Sequence, residues 1–127
     1  MLKIDNEKAI HVTRGDSGTI VITAQNSDGS DYEFITDDIV RLKIMEKKDV
    51  TNIVLTKDVK VEEAGTSVDM CLDSDDTRIG EYINAPAKYW YEVELNPYTN
   101  STTIIGYDED GPKEFILYPE GKHESGE

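Results

Sequence analysis

The feature that most constrains this chain is a period-two alternation of apolar and polar residues, repeated from one end to the other. Its cleanest instance is Ile39-Val40-Arg41-Leu42-Lys43-Ile44-Met45, where Val40, Leu42 and Ile44 point one way and Arg41 and Lys43 the other. Successive side chains of a strand leave on opposite faces, so such a run buries one face and wets the other. The same pattern marks Ala9-Ile10-His11-Val12-Thr13 and Thr19-Ile20-Val21-Ile22-Thr23-Ala24. Further strand runs are Ile53-Val54-Leu55-Thr56, Val59-Lys60-Val61, Glu81-Tyr82-Ile83 and Ser67-Val68-Asp69-Met70-Cys71-Leu72, the last with Val68, Met70 and Leu72 as its apolar side. Tyr89-Trp90-Tyr91-Glu92-Val93-Glu94-Leu95, Thr102-Thr103-Ile104-Ile105 and Glu114-Phe115-Ile116-Leu117-Tyr118 complete the set.

Turn clusters separate these runs. Asn26-Ser27-Asp28-Gly29-Ser30 reads as a hairpin turn, because Asp-Gly supplies the positive φ that tight turns need. Asp31-Tyr32-Glu33-Phe34 is expected to begin the return strand. Asp73-Ser74-Asp75-Asp76-Thr77-Arg78 breaks the alternation and suits one short helical turn with an acidic cap. Asn84 to Lys88 and Asn96-Pro97-Tyr98-Thr99-Asn100 read as loop and turn, and Pro119 closes the last strand.

The spacing gives roughly eight to ten short strands, the number of an all-β sandwich or small barrel. One-sided alternation predicts antiparallel sheets with a wet outer face. The expected architecture is one domain over residues 1–119 with at most one short helical turn, followed by a polar tail over 120–127.

Charge narrows the partners. Twenty-seven Asp and Glu against 13 Lys and Arg leave a formal net charge of -14. So acidic a surface repels phosphate backbones and anionic lipid, so neither nucleic acid nor membrane is expected as a partner. Cys71 is the single cysteine, which rules out an internal disulfide and a cysteine zinc cluster. The first residues lack the apolar stretch of a secretory signal, and the chain reads as folded in a cytoplasm.

Chemistry is sparse. His11 alternates with Ile10 and Val12 and is expected to face outward; His123 lies in the tail. Neither stands at the spacing of a triad or metal site. Asp73-Ser74-Asp75-Asp76 and Asp108-Glu109-Asp110-Gly111 cluster the oxygens that calcium takes, yet neither follows the EF-hand pattern, and both suit capping and turn roles. No enzyme, metal or cofactor is expected. Arg14-Gly15-Asp16 spells an integrin-binding tripeptide, but Gly15 suits a tight turn and Asp16 can accept turn amides, so these three residues are read as a structural turn. Tyr89, Trp90 and Tyr98 are the candidate interaction surface, because exposed aromatics anchor protein interfaces or stack on sugar rings.

Several motifs in order resemble one family. They are Thr13-Arg14-Gly15-Asp16, Asp28-Gly29, Val40-Arg41-Leu42-Lys43-Ile44, Asp76-Thr77, Gly80-Glu81-Tyr82, Tyr89-Trp90-Tyr91-Glu92-Val93-Glu94-Leu95 and Phe115-Ile116-Leu117. In this order the chain is similar to the N-terminal domain of phage upper baseplate proteins, found in prophages of Gram-positive bacteria. Ile83 to Lys88 stands as an insertion relative to that pattern. The resemblance implies an immunoglobulin-like β-sandwich that serves as a tail-, baseplate- or fibre-associated part of a virion. Its partners would be other virion proteins or copies of itself, possible in a homo-oligomer, and it would have no enzyme activity. A carbohydrate-binding sandwich using Tyr89, Trp90 and Tyr98 is the alternative.

Overall fold

A computed structural model describes residues 2–4, 8–48, 52–81, 83–99, 101–106 and 111–120. Among them the alternation resolves into nine strands and no helix. They are β1 (Leu2–Ile4), β2 (Ile10–Thr13), β3 (Gly18–Ile22), β4 (Ile39–Met45), β5 (Ile53–Lys60), β6 (Val68–Leu72), β7 (Ala87–Leu95), β8 (Thr102–Ile105) and β9 (Lys113–Tyr118).

Seven strands form one sheet in the order β1-β2-β9-β7-β4-β5, with β8 also paired to β7. Along β7, residues 87–91 pair with β9 and residues 93–95 with β8, while β4 takes the opposite edge. β8 and β9 therefore run in one direction, end to end, against the same partner. β3 and β6 form a separate two-stranded antiparallel sheet.

The two sheets meet over one core. The large sheet contributes Ile10, Val12, Val40, Leu42, Ile44, Tyr91, Val93, Phe115 and Leu117; the small one contributes Ile20, Ile22, Val68, Met70 and Leu72. These are the alternate residues of each strand, and their neighbours Thr19, Val21, Asp69 and Cys71 are exposed. Burying each such aliphatic side chain stabilises the fold by about 1.5–3 kcal/mol. The core is all-β and sandwich-like, as the alternation predicts.

Several expectations need correction. The sheet is mixed: β2 and β9 run parallel, with Ile10 opposite Phe115 and Val12 opposite Leu117. Two runs read as separate strands, 53–56 and 59–61, are one strand, β5. Asp31 to Phe34 makes only isolated bridges, Gln25–Asp31 and Phe34–Gly65, because Phe34 turns into the core instead of continuing the hairpin. β1 was not foreseen, since Leu2-Lys3-Ile4 is too short to show a period. The helical turn at Ser74–Thr77 is a turn only, and Glu81 and Ile83 lie outside the strands.

Candidate functional site

The Arg14-Gly15-Asp16 turn joins β2 to β3 and is wired inward. Arg14 donates from Nη1 to Glu120 Oε1 at 2.6 Å, from Nη2 to Gly80 O at 2.6 Å and from Nε to Ile79 O at 3.2 Å. Gly15 sits at φ +88°, where an L side chain is strained. Its amide donates to the fully buried Thr77 hydroxyl, which donates in turn to Asp16 O at 2.8 Å. The arginine is thus consumed in tying three chain segments together. Glu120, expected to open a polar tail, is instead an anchor of this clip; residues 121–127, with His123, lie outside the described residues.

The acidic run 73–76 closes on itself. Asp76 N donates to Asp73 Oδ1 at 3.0 Å and Asp73 N to Asp76 Oδ2 at 2.9 Å, a reciprocal cap. Lys57 also pairs with Asp76. Asp108 to Asp110 lie outside the described residues, and among the described residues no three His, Cys, Asp or Glu are grouped to hold a metal. His11 is on the outer face as expected, but half-buried, with Nδ1 2.8 Å from the Tyr118 hydroxyl and the rings stacked.

The three aromatics do not share a surface. Tyr89 has the parity of the buried Tyr91 and packs against the core. Trp90 has the opposite parity and is half-buried on the outer face, where it stands opposite Met45 and Glu114. Only Tyr98 is well exposed, at 67%. It lies by Arg41, four residues along β4 from the Trp90 partner Met45, a separation of about 14 Å.

Tyr98 is held in place. The Arg41 guanidinium lies 4.7 Å from its ring centroid and also donates to its hydroxyl. That hydroxyl donates to Asp58 Oδ2 at 3.2 Å, and Arg41 grips Asp58 with two further bonds at 2.8 and 3.0 Å. The bond from Arg41, outweighing partial burial, keeps the Asp58 carboxyl below the usual range, and Arg41 is raised above its own. Beyond this cluster the outer face is a ladder of paired charges. Lys43 reaches Glu92 and Glu94 at 3.1 and 3.2 Å, and Lys88 reaches Glu114 at 3.2 Å.

Beside Tyr98 the segment 35–39 and the turn 96–99 enclose an open cleft of about 290 Å³. Its floor is Asp38, a carboxylate only 5% exposed. Asp38 Oδ2 accepts from the Tyr32 hydroxyl at 2.9 Å and from Ile35 N at 3.0 Å, and Oδ1 accepts from Asn96 Nδ2 at 3.1 Å. Burial pushes this carboxyl up, but the three donors outweigh it and hold it below the ordinary carboxylate range. Asn96 locks the other side through Ile39, accepting its amide at 2.9 Å and donating to its carbonyl at 2.7 Å. Asp37 and Asn96 both adopt positive φ, 77° and 53°, which Asp and Asn tolerate best. Ile35 on the rim is 57% exposed.

Ile35, Asp38 and Asn96 were not singled out in the sequence. Thr36-Asp37-Asp38 before β4 and Asn96-Pro97 after β7 are visible turn signals. That they meet follows only from the antiparallel register that sets Val40 opposite Leu95.

No protein-family model matches the chain, and no curated protein or solved structure matches it either.

Proposed function

We propose that the chain is a non-enzymatic structural protein of a phage virion, associated with the tail, baseplate or fibre and acting through protein–protein contacts. The observation that carries the contact role is β5. Among the described residues this eight-residue strand pairs on one side only, with β4, and it opens on the exposed Ile53 and Val54. A long free edge offers unpaired amides and carbonyls to another chain. The charges on the neighbouring outer face largely neutralise each other, so that face offers a charged small molecule little unpaired charge to bind.

The virion setting rests on the ordered motifs from Thr13-Arg14-Gly15-Asp16 to Phe115-Ile116-Leu117. Strand order supports the immunoglobulin-like part of the reading. In that fold strands B and E face C′, C, F and G; here β3 and β6 face β5, β4, β7 and β9. β1 and β2 depart from the constant-type arrangement by joining the larger sheet.

The test is fractionation after prophage induction in a host that carries the gene. The protein is expected to sediment with tail-sized particles and to be detected there by mass spectrometry at a fixed ratio to other particle proteins. Recovery only as a free monomer in the soluble fraction overturns the reading.

A further inference from the structure

Tyr98 is exposed, yet two side chains, Arg41 and Asp58, restrain it. An exposed tyrosine ordinarily samples several rotamers and loses that freedom when a partner covers it. Here the Arg41–Asp58 pair holds the ring from one side before any partner arrives. Ordering an aromatic in advance is what a rigid interface anchor requires. The second apolar group, Ile35, lies across the same cleft and is also largely exposed.

The electrostatics of the cleft have a sign. Its floor is the ionised Asp38 and its rim carries Asp37. Asp37 meets Lys60 at 3.4 Å, but the side chains are 75% and 66% exposed, so the pair is weak and exchangeable. Among the described residues Asp38 bonds to no cation; neutral donors meet its charge. The whole chain, at -14, adds a long-range pull on positive partners.

From this geometry we infer that the cleft between residues 35–39 and 96–99 docks an extended protein segment carrying an apolar side chain next to an arginine or lysine. The apolar group packs between Ile35 and the Tyr98 ring. The cation lies over the acidic floor and displaces Lys60 from Asp37. The inference rests on the proposed contact role and names where one contact is made and with what chemistry.

The test is an amide-shift titration of the whole labelled protein with N-acetyl-Leu-Arg-amide, using N-acetyl-Leu-Glu-amide as the charge-reversed control. Saturable shifts confined to 35–39 and 96–99, with the arginine probe only, are expected. Tyr98→Ala should weaken binding roughly fivefold or more, since it removes the anchor. Tyr98 is outside the core, so an unchanged melting temperature should confirm that the variant is folded. Absent shifts, shifts scattered over the acidic surface, equal response to both probes, or an unaffected Tyr98→Ala each overturn the inference. The particle test is independent: a chain that sediments with particles but ignores the probe loses only this cleft, and a chain that binds the probe but never joins particles loses only the virion setting.

Discussion

At the residue scale, two buried polar groups carry more than their size suggests. Asp38 satisfies the Ile35 amide, the Tyr32 hydroxyl and the Asn96 amide together. Asp38→Ala strands these donors and should cost about 1–3 kcal/mol in denaturant unfolding. Thr77 is fully buried and bridges Gly15 N to Asp16 O. Thr77→Val keeps the volume and removes the bridge, so it should cost a similar amount, again about 1–3 kcal/mol; a loss near zero would show that the Arg14 clip holds the turn without it. Asp38, Asp58 and Asp76 all lie below their ordinary carboxyl value near 3.8 in the folded chain. A carboxyl depressed by folding stabilises the native state above that ordinary value, and the contribution is lost as pH falls through the lower folded value. Denaturant midpoints should therefore drop from about pH 5 to pH 2. Asp38→Asn should flatten that drop; an unchanged slope would remove Asp38 from the acid limb.

At the element scale, the pairing of β1 depends on one glycine. A Cβ on Gly18 would stand 2.7 Å from Leu2 Cβ and 2.9 Å from Leu2 Cδ1. Gly18→Ala should push β1 from the edge while β2 stays paired to β9. Hydrogen exchange should then show lost protection at Leu2 to Ile4 and little change in β9. Uniform loss across the sheet would mean that β1 is integral to the fold rather than an added edge. The other edge, β5, is defended differently. Lys57 and Lys60 engage Asp76 and Asp37, placing charge along the strand's C-terminal half and leaving Ile53 and Val54 as its apolar opening.

At the scale of the whole molecule, charge and packing oppose each other. A net charge of -14 is carried on a fold whose own ion pairs use up many of its 13 cations. Self-repulsion should dominate over these local pairs. Raising sodium chloride from about 20 mM to about 500 mM should therefore raise the melting temperature, because screening acts on the long-range term most. A fall would place the local pairs above the repulsion.

The chain's alternation by itself determined the class of fold and which strand residues enter the core, though not Phe34 or Ile79, which join it from outside the strands. Val40, Leu42 and Ile44 on β4, Val68, Met70 and Leu72 on β6, and Tyr91, Val93 and Leu95 on β7 are buried as their parity requires. A period of two is a local property, and burial of one face follows from it directly. The Arg14 turn was legible for the same reason, since Gly15 declares its own backbone. What only the tertiary structure decided is non-local. The parallel pairing of β2 with β9 brings residues about a hundred positions apart into register, and no local pattern encodes it. Tyr89, Trp90 and Tyr98 are neighbours in sequence, yet parity and the turn at Asn96 send them to three places. The cleft arises where the turns flanking β4 and β7 meet, joined by Asp38 and Asn96 across 58 positions. Side-chain identity sets which face of a strand is wet; only strand order and register set which wet residues become neighbours.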